Sequence, residues 1–257
     1  MKKLKNNRKF HAGILVVAII IIGLVRLSSW LGDYYRATDR AWSYIDEPAH
    51  GVTVDYVDNT IVYRPENPEA AMIFYPGGLV ETEAYAPLLE QLAENGIMVV
   101  EVAMPHYLAM LDANGARGIK AKYPEVDRWY LGGHSLGGAM VSLYAARHQD
   151  EYEGAVLLAA YSTEDISDSD MDVLLMYGSE DKVINMDNYK KNLPNLPKDY
   201  QEVVIDGGCH AYFGDYGMQK GDGTPSITVQ EQTQITVDSI VEFITGESHE
   251  KVQVQAG

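Results

Sequence analysis

The sequence predicts an α/β protein with a mostly parallel central sheet and helices on both of its faces. Short, continuously apolar segments alternate along the chain with segments of helical periodicity, and continuous apolar runs suit strands that are covered on both faces. This alternation implies right-handed crossover connections between parallel strands. At 257 residues with 46% hydrophobic content, the chain is long enough for one domain of about 200 residues.

The predicted elements follow each other regularly after an opening hairpin. Two β-prone runs at 52–56 and 60–63 flank Asp58 and Asn59, a pair typical of a tight turn. The strands predicted after this hairpin are residues 71–75, 97–102, 129–132, 155–159, 173–177 and 202–205. The predicted helices are residues 85–94, 107–122, 136–147, 187–192 and 229–245. The main domain is therefore predicted to cover residues 51–246.

The N-terminus predicts a signal peptide or a membrane anchor. The first eleven residues hold five basic side chains and no acid, and residues 12–25 then run without a polar side chain. Fourteen helical residues span only about 21 Å of the roughly 30 Å hydrocarbon core, which suits a signal peptide. No small-x-small cleavage site follows, however, and the apolar stretch continues to Leu31 if Arg26 extends its charge to the interface. We therefore favour an uncleaved transmembrane anchor at 12–31, with a cleaved signal peptide as the alternative.

The remaining boundaries follow from this assignment. Residues 1–11 form a basic segment that stays in the cytoplasm under the positive-inside rule, so that the main domain faces the extracellular or periplasmic side. Residues 32–50 are polar and aromatic and are predicted to be a stalk or a connecting helix. Residues 247–257 are predicted to be a flexible tail. If the N-terminus is cleaved, the domain is instead secreted.

The charge of the chain argues against several kinds of partner. The net charge is -17, six of the twenty Lys and Arg residues precede Leu27, and the first acidic residue is Asp33, so that the main domain is strongly acidic. An acidic surface argues against binding of nucleic acid and against docking on anionic lipid. Cys209 is the only cysteine, which excludes an internal disulfide and a cysteine-rich metal site. The histidines show no paired metal-ligand spacing, and we expect neither a metal nor a cofactor.

One motif carries the candidate chemistry. Gly133, Ser135 and Gly137 form a G-x-S-x-G sequence directly after the predicted strand at 129–132 and directly before the predicted helix at 136–147. In this context a serine occupies a sharp turn between strand and helix, and the glycines remove side chains that would collide with the neighbouring backbone. Ser135 is therefore the candidate nucleophile. The alternative is a glycine-rich turn with a structural serine.

A nucleophilic serine needs a base, and seven histidines are available. We favour His210, because it follows the predicted strand at 202–205 and lies at the sheet edge where the serine turn is also expected. His106, just past the strand at 97–102, is the rival, and we expect for it a structural or substrate-lining role. His134 is next to the serine and is expected to direct its side chain elsewhere.

The base in turn needs an acid that fixes its tautomer and stabilises the imidazolium. Asp181 follows the predicted strand at 173–177, again at the carboxyl edge of the sheet. This position gives the chain order Ser, Asp, His that such a triad requires on an α/β fold. The adjacent Glu180 is expected to point away.

Attack on an acyl carbon also needs N–H donors for the developing oxyanion. The N–H group of Leu136, next to the serine, is one candidate. The glycine-rich turn after the first parallel strand is expected to supply the second donor, from either Gly78 or Leu79. The alternative is a turn that needs its glycines for backbone reasons alone.

These segments resemble the α/β-hydrolase fold-5 family, which is related to dienelactone hydrolase-like enzymes, over residues 51–246. The resemblance implies the α/β-hydrolase fold and a triad of Ser135, Asp181 and His210 in a hydrolase of undefined substrate. The segments that carry it are residues 75–81, 132–140, 177–181 and 207–217.

Two further features concern the same resemblance. Residues 219–223, which include Asp222, are similar to a glycine-rich stretch that follows the histidine in the family. Cys209 departs from the family pattern, in which asparagine is common at this position. The departure leaves the triad intact and bears on the hydrogen bonds of the histidine loop.

The short separation of Ser135 and Asp181 leaves no room for a large cap domain, so that an open site is expected. We therefore favour a carboxylic-ester hydrolase that acts through an acyl-enzyme on small or accessible acyl groups. An acyltransferase or peptidase on the same fold, and a non-catalytic surface binding protein on a hydrolase scaffold, are the alternatives. The oligomeric state stays open. The candidate pocket-lining residues are Glu81, Tyr85, His106, Tyr161 and Tyr212.

Overall fold

The computed structural model describes residues 33–246. The predicted basic segment at 1–11, the predicted anchor at 12–31 and the predicted tail at 247–257 lie outside the described residues. The contacts within the chain define a compact unit that begins at Tyr35. In the part of the chain that the structure describes, no helix is both long and apolar enough to cross a membrane.

One eight-stranded sheet and five α-helices make up the described domain. The strands are β1 (Val52–Val57), β2 (Thr60–Pro65), β3 (Ala70–Tyr75), β4 (Ile97–Val102), β5 (Trp129–His134), β6 (Gly154–Leu158), β7 (Asp172–Gly178) and β8 (Gln201–Ile205). The helices are α1 (Asp39–Asp46), α2 (Ala86–Glu94), α3 (Leu136–Ala145), α4 (Met186–Asn192) and α5 (Val229–Thr245).

The sheet has the strand order β1-β2-β4-β3-β5-β6-β7-β8. β1 and β2 form an antiparallel hairpin and β2 pairs antiparallel with β4, whereas all the other pairs are parallel. The carboxyl ends of β3 to β8 therefore meet at one edge, which is where ligands bind in open α/β sheets. The prediction of a mostly parallel sheet is confirmed.

Alternate residues of the central strands pack into two hydrophobic layers. In β3, Met72 and Phe74 face one layer, while Ile73 and Tyr75 face the other. Helices α2 and α5 cover the first layer, and α3 and α4 cover the second. Burial on both faces explains the continuously apolar strand sequences. The two layers hold the strand ends in register and so position the loops that follow them.

The bounds of α5 coincide with the predicted helix at 229–245, because both of its ends carry local signals. Thr228 and Glu231 form a capping box at its start. Gly246, with a φ of 72°, ends the helix in the left-handed conformation that glycine adopts without strain.

The predicted helix at 107–122 is wrong. The segment contains only single turns of 3₁₀ helix, at Ala109–Leu111 and Lys120–Lys122. Tyr107 and Gly118 have φ angles of 57° and 77°, which an α-helix does not accommodate. The segment therefore follows an irregular path between β4 and β5.

Tyr75 helps to hold this irregular segment in place. Its hydroxyl accepts a hydrogen bond from Ala116 N–H at 2.6 Å and donates one to Ala113 O at 3.3 Å. These hydrogen bonds replace backbone hydrogen bonds that a helix would make, since backbone polar groups in the interior need partners. Ala116 and Ile119 are buried in the layer covered by α3. The apolar periodicity of the segment thus reflects burial and not a helix.

The N-terminal part of the unit, predicted to be a stalk or connecting helix, contains α1 and packs against the domain. Tyr35 N–H donates to Leu79 O at 2.8 Å, and Glu81 N–H donates to Tyr35 O at 2.9 Å. Arg40 of α1 forms an ion pair with Asp215 at 2.6 Å. The folded unit therefore takes in α1 and starts before the predicted boundary.

β4 carries a carboxyl group into the interior. The Glu101 side chain is 0% exposed, and its Oε2 accepts a hydrogen bond from Tyr63 Oη at 3.2 Å. Burial, and next the nearby Glu83, raise the pKa of Glu101 well above its usual value. The folded state therefore keeps the proton of Glu101 at pH values where the unfolded chain releases it. It follows that this group's contribution to stability is lost as the pH rises.

The Glu101→Gln substitution should remove this pH dependence. The amide keeps the shape of the side chain but never ionises. The melting temperature of the variant minus that of wild type should therefore be larger at about pH 8 than at about pH 5. Each kcal/mol gained should raise it by about 2–4 °C. Thermal melts at both pH values measure the difference, and the exposed Glu66→Gln serves as control. An offset from wild type that stays constant with pH would contradict the assignment.

Candidate active site

Ser135 lies at the turn between β5 and α3. Its φ of 52° and ψ of -119° are in a region that residues other than glycine rarely adopt. The turn is held on its strand side, because His134 pairs with Leu158 in the sheet and Ser135 N–H donates to Leu158 O at 2.9 Å. The serine is partly exposed. A strand, a sharp turn at a serine and a helix are the arrangement that a nucleophile elbow requires.

Two glycines make this turn possible. A Cβ atom on Gly137 would lie 2.2 Å from Tyr75 O and 2.3 Å from Pro76 O. A Cβ atom on Gly133 would lie 2.7 Å from the Gly138 nitrogen. All of these neighbours are backbone atoms, which cannot move aside as a flexible side chain does. Only glycine therefore allows the start of α3 to lie against the carboxyl end of β3.

His210 and Asp181 form a buried pair. His210 Nδ1 and Asp181 Oδ2 are 2.8 Å apart, and the two side chains are 2% and 1% exposed. The other carboxylate oxygen, Oδ1, accepts hydrogen bonds from the N–H groups of Val183 and Ile184 at 2.8 and 2.9 Å. Since an ionised carboxylate only accepts, the proton of a neutral His210 lies on Nδ1 and the lone pair on Nε2. This Nε2 is buried and has no hydrogen-bond partner within residues 33–246.

The loop that carries His210 is fixed to α5 through the backbone of Cys209. The buried side chain of Gln232 accepts from Cys209 N–H and donates to Cys209 O, each at 2.9 Å. These hydrogen bonds use only backbone atoms of residue 209. They therefore do not depend on whether the side chain is cysteine, as here, or asparagine, as the family resemblance implies. Burial, and next the Asp222 carboxylate, raise the pKa of the Cys209 thiol to about 12. The thiol therefore stays protonated near neutral pH.

Asp222 joins the loops that carry His210 and Asp181. Its Oδ2 accepts a hydrogen bond from Ala211 N–H at 2.9 Å, directly after His210. Its Oδ1 accepts one from Lys182 N–H at 3.3 Å, directly after Asp181. A single carboxylate thus sets the spacing of the two loops whose side chains form the buried pair. The residue pattern around Asp222 does not reveal this role.

Leu79, one of the two candidates for the second oxyanion donor, is already engaged. Its N–H donates to Tyr107 O at 2.7 Å, in the segment after β4. The N–H of Gly77 is engaged as well, with Tyr85 Oη at 2.9 Å. The geometry therefore favours Gly78 over Leu79 as the donor from this loop.

Gly78 and Leu136 present the remaining N–H groups. Neither N–H makes a hydrogen bond within the described part of the chain. A Cβ atom on Gly78 would lie 2.9 Å from Leu136 Cδ2, so that the two residues are in contact. Leu136 begins α3, and its N–H is one of the donors that a helix leaves unpaired at its N-terminus. The residue after Ser135 thus has a free N–H, and its side chain contacts the second residue with a free N–H, Gly78.

The prediction that the His134 side chain is directed elsewhere is wrong, since its ring contacts His210. The two ring centroids are 4.7 Å apart, and His134 is 0% exposed. His134 Nδ1 lies 2.8 Å from Tyr85 Oη. Tyr85, a candidate for lining the pocket, is also 0% exposed and contributes no surface to it. Residue spacing does not reveal these contacts, because they join segments that are distant in the chain.

The remaining candidate residues take no part in the buried His210–Asp181 pair. His106 is exposed, with a φ of 52°, and pairs with no carboxylate among residues 33–246. Glu180 lies 4.0 Å from Lys182 Nζ in an exposed ion pair. The described residues contain no cluster of three or more His, Cys, Asp or Glu side chains placed to hold a metal ion. The half-buried members of the candidate lining are Glu81, Tyr161 and Tyr212.

The Asp222→Asn substitution should loosen the link between the two loops. An amide has one acceptor oxygen, so that its NH₂ group faces the N–H of either Ala211 or Lys182. The free energy of unfolding should fall by about 1.5 kcal/mol, the low end for hydrogen bonds to a charged group. Hydrogen exchange of the backbone N–H groups of Ala211 and Lys182, followed by NMR, should become faster. Asp206→Asn, an exposed change after β8, is the matched control. Unchanged exchange in the Asp222 variant would show that Asp222 does not hold the loops.

Comparison with known proteins gives relatives by sequence and by structure. The sequence model of the alpha/beta hydrolase family matches residues 71–234. A putative non-heme haloperoxidase from Mycobacterium phage D29 is 29% identical over 109 residues, which cover 39% of this chain and 39% of the relative. The match thus spans about two fifths of the length of that relative.

Solved structures of low sequence identity share the fold. Est1E from Butyrivibrio proteoclasticus has a TM-score of 0.53 at 17% identity, over 76% of this chain and 99% of Est1E. A second Est1E structure, with ferulic acid bound, has a TM-score of 0.55 at 16% identity, over 76% and 97%. A "predicted CIB-like hydrolase" from Thermoplasma acidophilum has a TM-score of 0.53 at 17% identity, over 74% and 98%. The fold agrees, and the family's sequence model covers more than half of the chain, so the protein belongs to the alpha/beta hydrolase family.

Proposed function

We propose that the protein is a serine hydrolase that cleaves carboxylic esters, with Ser135 as nucleophile, His210 as base and Asp181 as the group that orients the base. The observation that carries the proposal is the buried His210–Asp181 pair. Its Nε2 has no partner among the described residues, and its imidazole contacts the residue directly before Ser135. Ser135 Oγ does not hydrogen-bond this Nε2 in the structure, but a lone pair on the residue beside His134 is suited to accept the proton of the next residue, Ser135, when substrate binds. Membership of the alpha/beta hydrolase family supports this reading.

In the first half of the reaction, Ser135 Oγ attacks the ester carbonyl carbon while its proton passes to His210 Nε2. The carbonyl oxygen becomes an oxyanion, which the N–H groups of Gly78 and Leu136 stabilise. The imidazolium of His210 is stabilised by Asp181, 2.8 Å from Nδ1. Collapse of the tetrahedral intermediate breaks the bond to the alcohol oxygen. The alcohol leaves with the proton from His210, and the serine is left acylated.

In the second half, water takes the place of the alcohol. His210 Nε2 accepts a proton from the water molecule as its oxygen attacks the acyl carbon of the ester on Ser135. The same two N–H groups stabilise the second oxyanion. Collapse then breaks the bond to Ser135 Oγ, which recovers its proton from His210, and the carboxylic acid leaves. The enzyme returns to its starting state.

The connection between β6 and β7 bears on the class of substrate. Residues 159–171 form this connection and contain no helix, so that no cap domain follows β6. An open site favours small or accessible acyl groups. The ferulic acid bound to the fold neighbour Est1E is a carboxylic acid, and it supports the choice of carboxylic esters. An acyltransferase, a peptidase and a non-catalytic binding protein are the alternatives to be tested.

We also propose that residues 12–31 anchor the protein in a membrane, with the hydrolase domain on the extracellular or periplasmic side. The support for this anchor is the basic flank before the apolar run and the acidic composition after it. The acidic composition also favours a small-molecule ester over nucleic acid as the partner. The full-length chain should stay in the membrane fraction after carbonate extraction, while a variant that lacks residues 1–31 should be released. A mass measurement that finds this segment removed from the mature protein would instead identify a secreted domain.

The Ser135→Ala substitution should abolish turnover. In the full-length chain, kcat for short-chain p-nitrophenyl esters should fall by about 10⁴-fold or more, because the nucleophile is lost. Labelling by a fluorophosphonate probe should disappear at the same time. Ser142→Ala removes a buried hydroxyl from α3, the helix that follows Ser135, and is the matched control, which should keep both signals.

Three outcomes would contradict this proposal. A Ser135→Ala variant that still turns over and labels would exclude Ser135 as the nucleophile. A folded wild-type protein that neither turns over nor labels would make the non-catalytic binding protein the better interpretation. Transfer of the acyl group to an added alcohol in preference to water would indicate an acyltransferase.

A further inference from the structure

Tyr85 connects two residues that flank the reacting groups. It lies in the 3₁₀ turn before α2, and its side chain is fully buried. Its Oη is 2.9 Å from Gly77 N and 2.8 Å from His134 Nδ1. Gly77 directly precedes the proposed oxyanion donor of the loop after β3, and His134 directly precedes the nucleophile. One hydroxyl group thus links the oxyanion loop to the elbow.

The protons of this group can be assigned from the partners. Gly77 N–H can only donate, so that Tyr85 Oη accepts its hydrogen bond. The hydroxyl proton of Tyr85 then has His134 Nδ1 as its acceptor, which requires a neutral His134 ring with its proton on Nε2. The opposite tautomer would leave both the buried hydroxyl proton and the Nε2 lone pair without a partner. In the assigned tautomer only the Nε2 proton, which is buried, makes no hydrogen bond within residues 33–246.

The charge state of His134 matters because its ring lies next to His210. The ring centroids are 4.7 Å apart. Burial, and next the His210 ring, lower the pKa of His134 well below its usual value. When His210 accepts the serine proton it becomes an imidazolium. A second positive charge at this distance would oppose that step, whereas a neutral His134 does not.

The neighbouring residues pack closely around the hydroxyl of Tyr85 and the ring of His134. A Cβ atom on Gly77 would lie 2.7 Å from Tyr85 Oη and 2.8 Å from His134 Nδ1, so that glycine is needed there. Phe74 packs against the Tyr85 ring and Phe213 against the His134 ring, with centroids 5.2 and 5.6 Å apart. Burial raises the pKa of Tyr85, and its hydroxyl therefore keeps the proton that it donates.

We propose that Tyr85 is a positioning residue for the reaction. Its hydroxyl holds His134 as the neutral Nε2–H tautomer beside His210, and it holds Gly77 so that the next N–H in the loop points to the oxyanion. The proposal rests on the serine-hydrolase function proposed above. Tyr85 acts through these neighbours and does not itself touch the substrate. Its effect should therefore appear in kcat, which reports stabilisation of the transition state, and not in KM.

The test is the Tyr85→Phe variant of the full-length chain, which keeps the ring and removes both hydrogen bonds. With a short-chain p-nitrophenyl ester, kcat should fall by about tenfold, less than the 10²–10³ expected when an oxyanion donor is itself removed, while KM changes by less than about twofold. ¹⁵N NMR of histidine-labelled protein should show His134 as the Nε2–H tautomer in wild type. The variant should lose the hydrogen-bonded Nδ1 signal. Tyr189→Phe, a buried tyrosine in the layer on the opposite face of the sheet, is the control and should keep kcat.

The outcomes separate the two proposals. Wild-type His134 with its proton on Nδ1 would overturn the role of Tyr85 without any variant, so that the test holds even if Tyr85→Phe does not fold. Ser135-dependent turnover with an unchanged kcat in Tyr85→Phe would overturn the role of Tyr85 alone. Turnover that does not depend on Ser135 would overturn the proposed reaction, and the role of Tyr85 in it as well.

Discussion

The close approach of α3 to the carboxyl end of β3 is the constraint on which the site depends. It requires glycine at position 137, where a Cβ atom would lie 2.2 Å from the carbonyl oxygen of Tyr75, and it holds Ser135 at a φ of 52°. Such strain persists only where the surrounding structure over-determines the backbone. Here the paired strands and the two apolar layers do so. The same approach brings Gly78, whose N–H is free, into contact with the side chain of Leu136, whose N–H is also free.

A second feature of the structure is the connection of its buried polar groups. Asp181 is satisfied by His210 and by two backbone N–H groups, and Gln232 is satisfied by both backbone groups of Cys209. In a medium of low dielectric constant such bonds are strong, and they hold the loops rigid. His210 Nε2 is one of five buried side-chain atoms that have no partner in the described residues, and it is the one that belongs to the buried pair with Asp181. An unsatisfied buried atom costs free energy, and a catalytic role is one explanation for its presence.

Much of the fold was predictable because its signals are local. The strands are continuously apolar, the ends of α5 carry a capping box and a glycine, and the serine motif lies between a strand and a helix. The candidate pair His210 and Asp181 followed from their places after parallel strands, whose carboxyl ends share one edge. The helix predicted at 107–122 failed for the opposite reason. Its apolar periodicity records burial against the sheet, while Tyr75 supplies hydrogen bonds that no window of sequence contains.

The sequence by itself determined the succession of the eight strands along the chain, the serine turn between a strand and a helix, and the chain order of the candidate triad. These depend on residues that are neighbours in the chain. Only the tertiary structure decided which N–H of the loop after β3 is free, that Asp222 joins the histidine and aspartate loops, and that Tyr85 lies between Gly77 and His134. These contacts join residues far apart in sequence. A hydrogen-bond partner at such a separation is set by the packing of the strands and helices between them, and no local pattern encodes it.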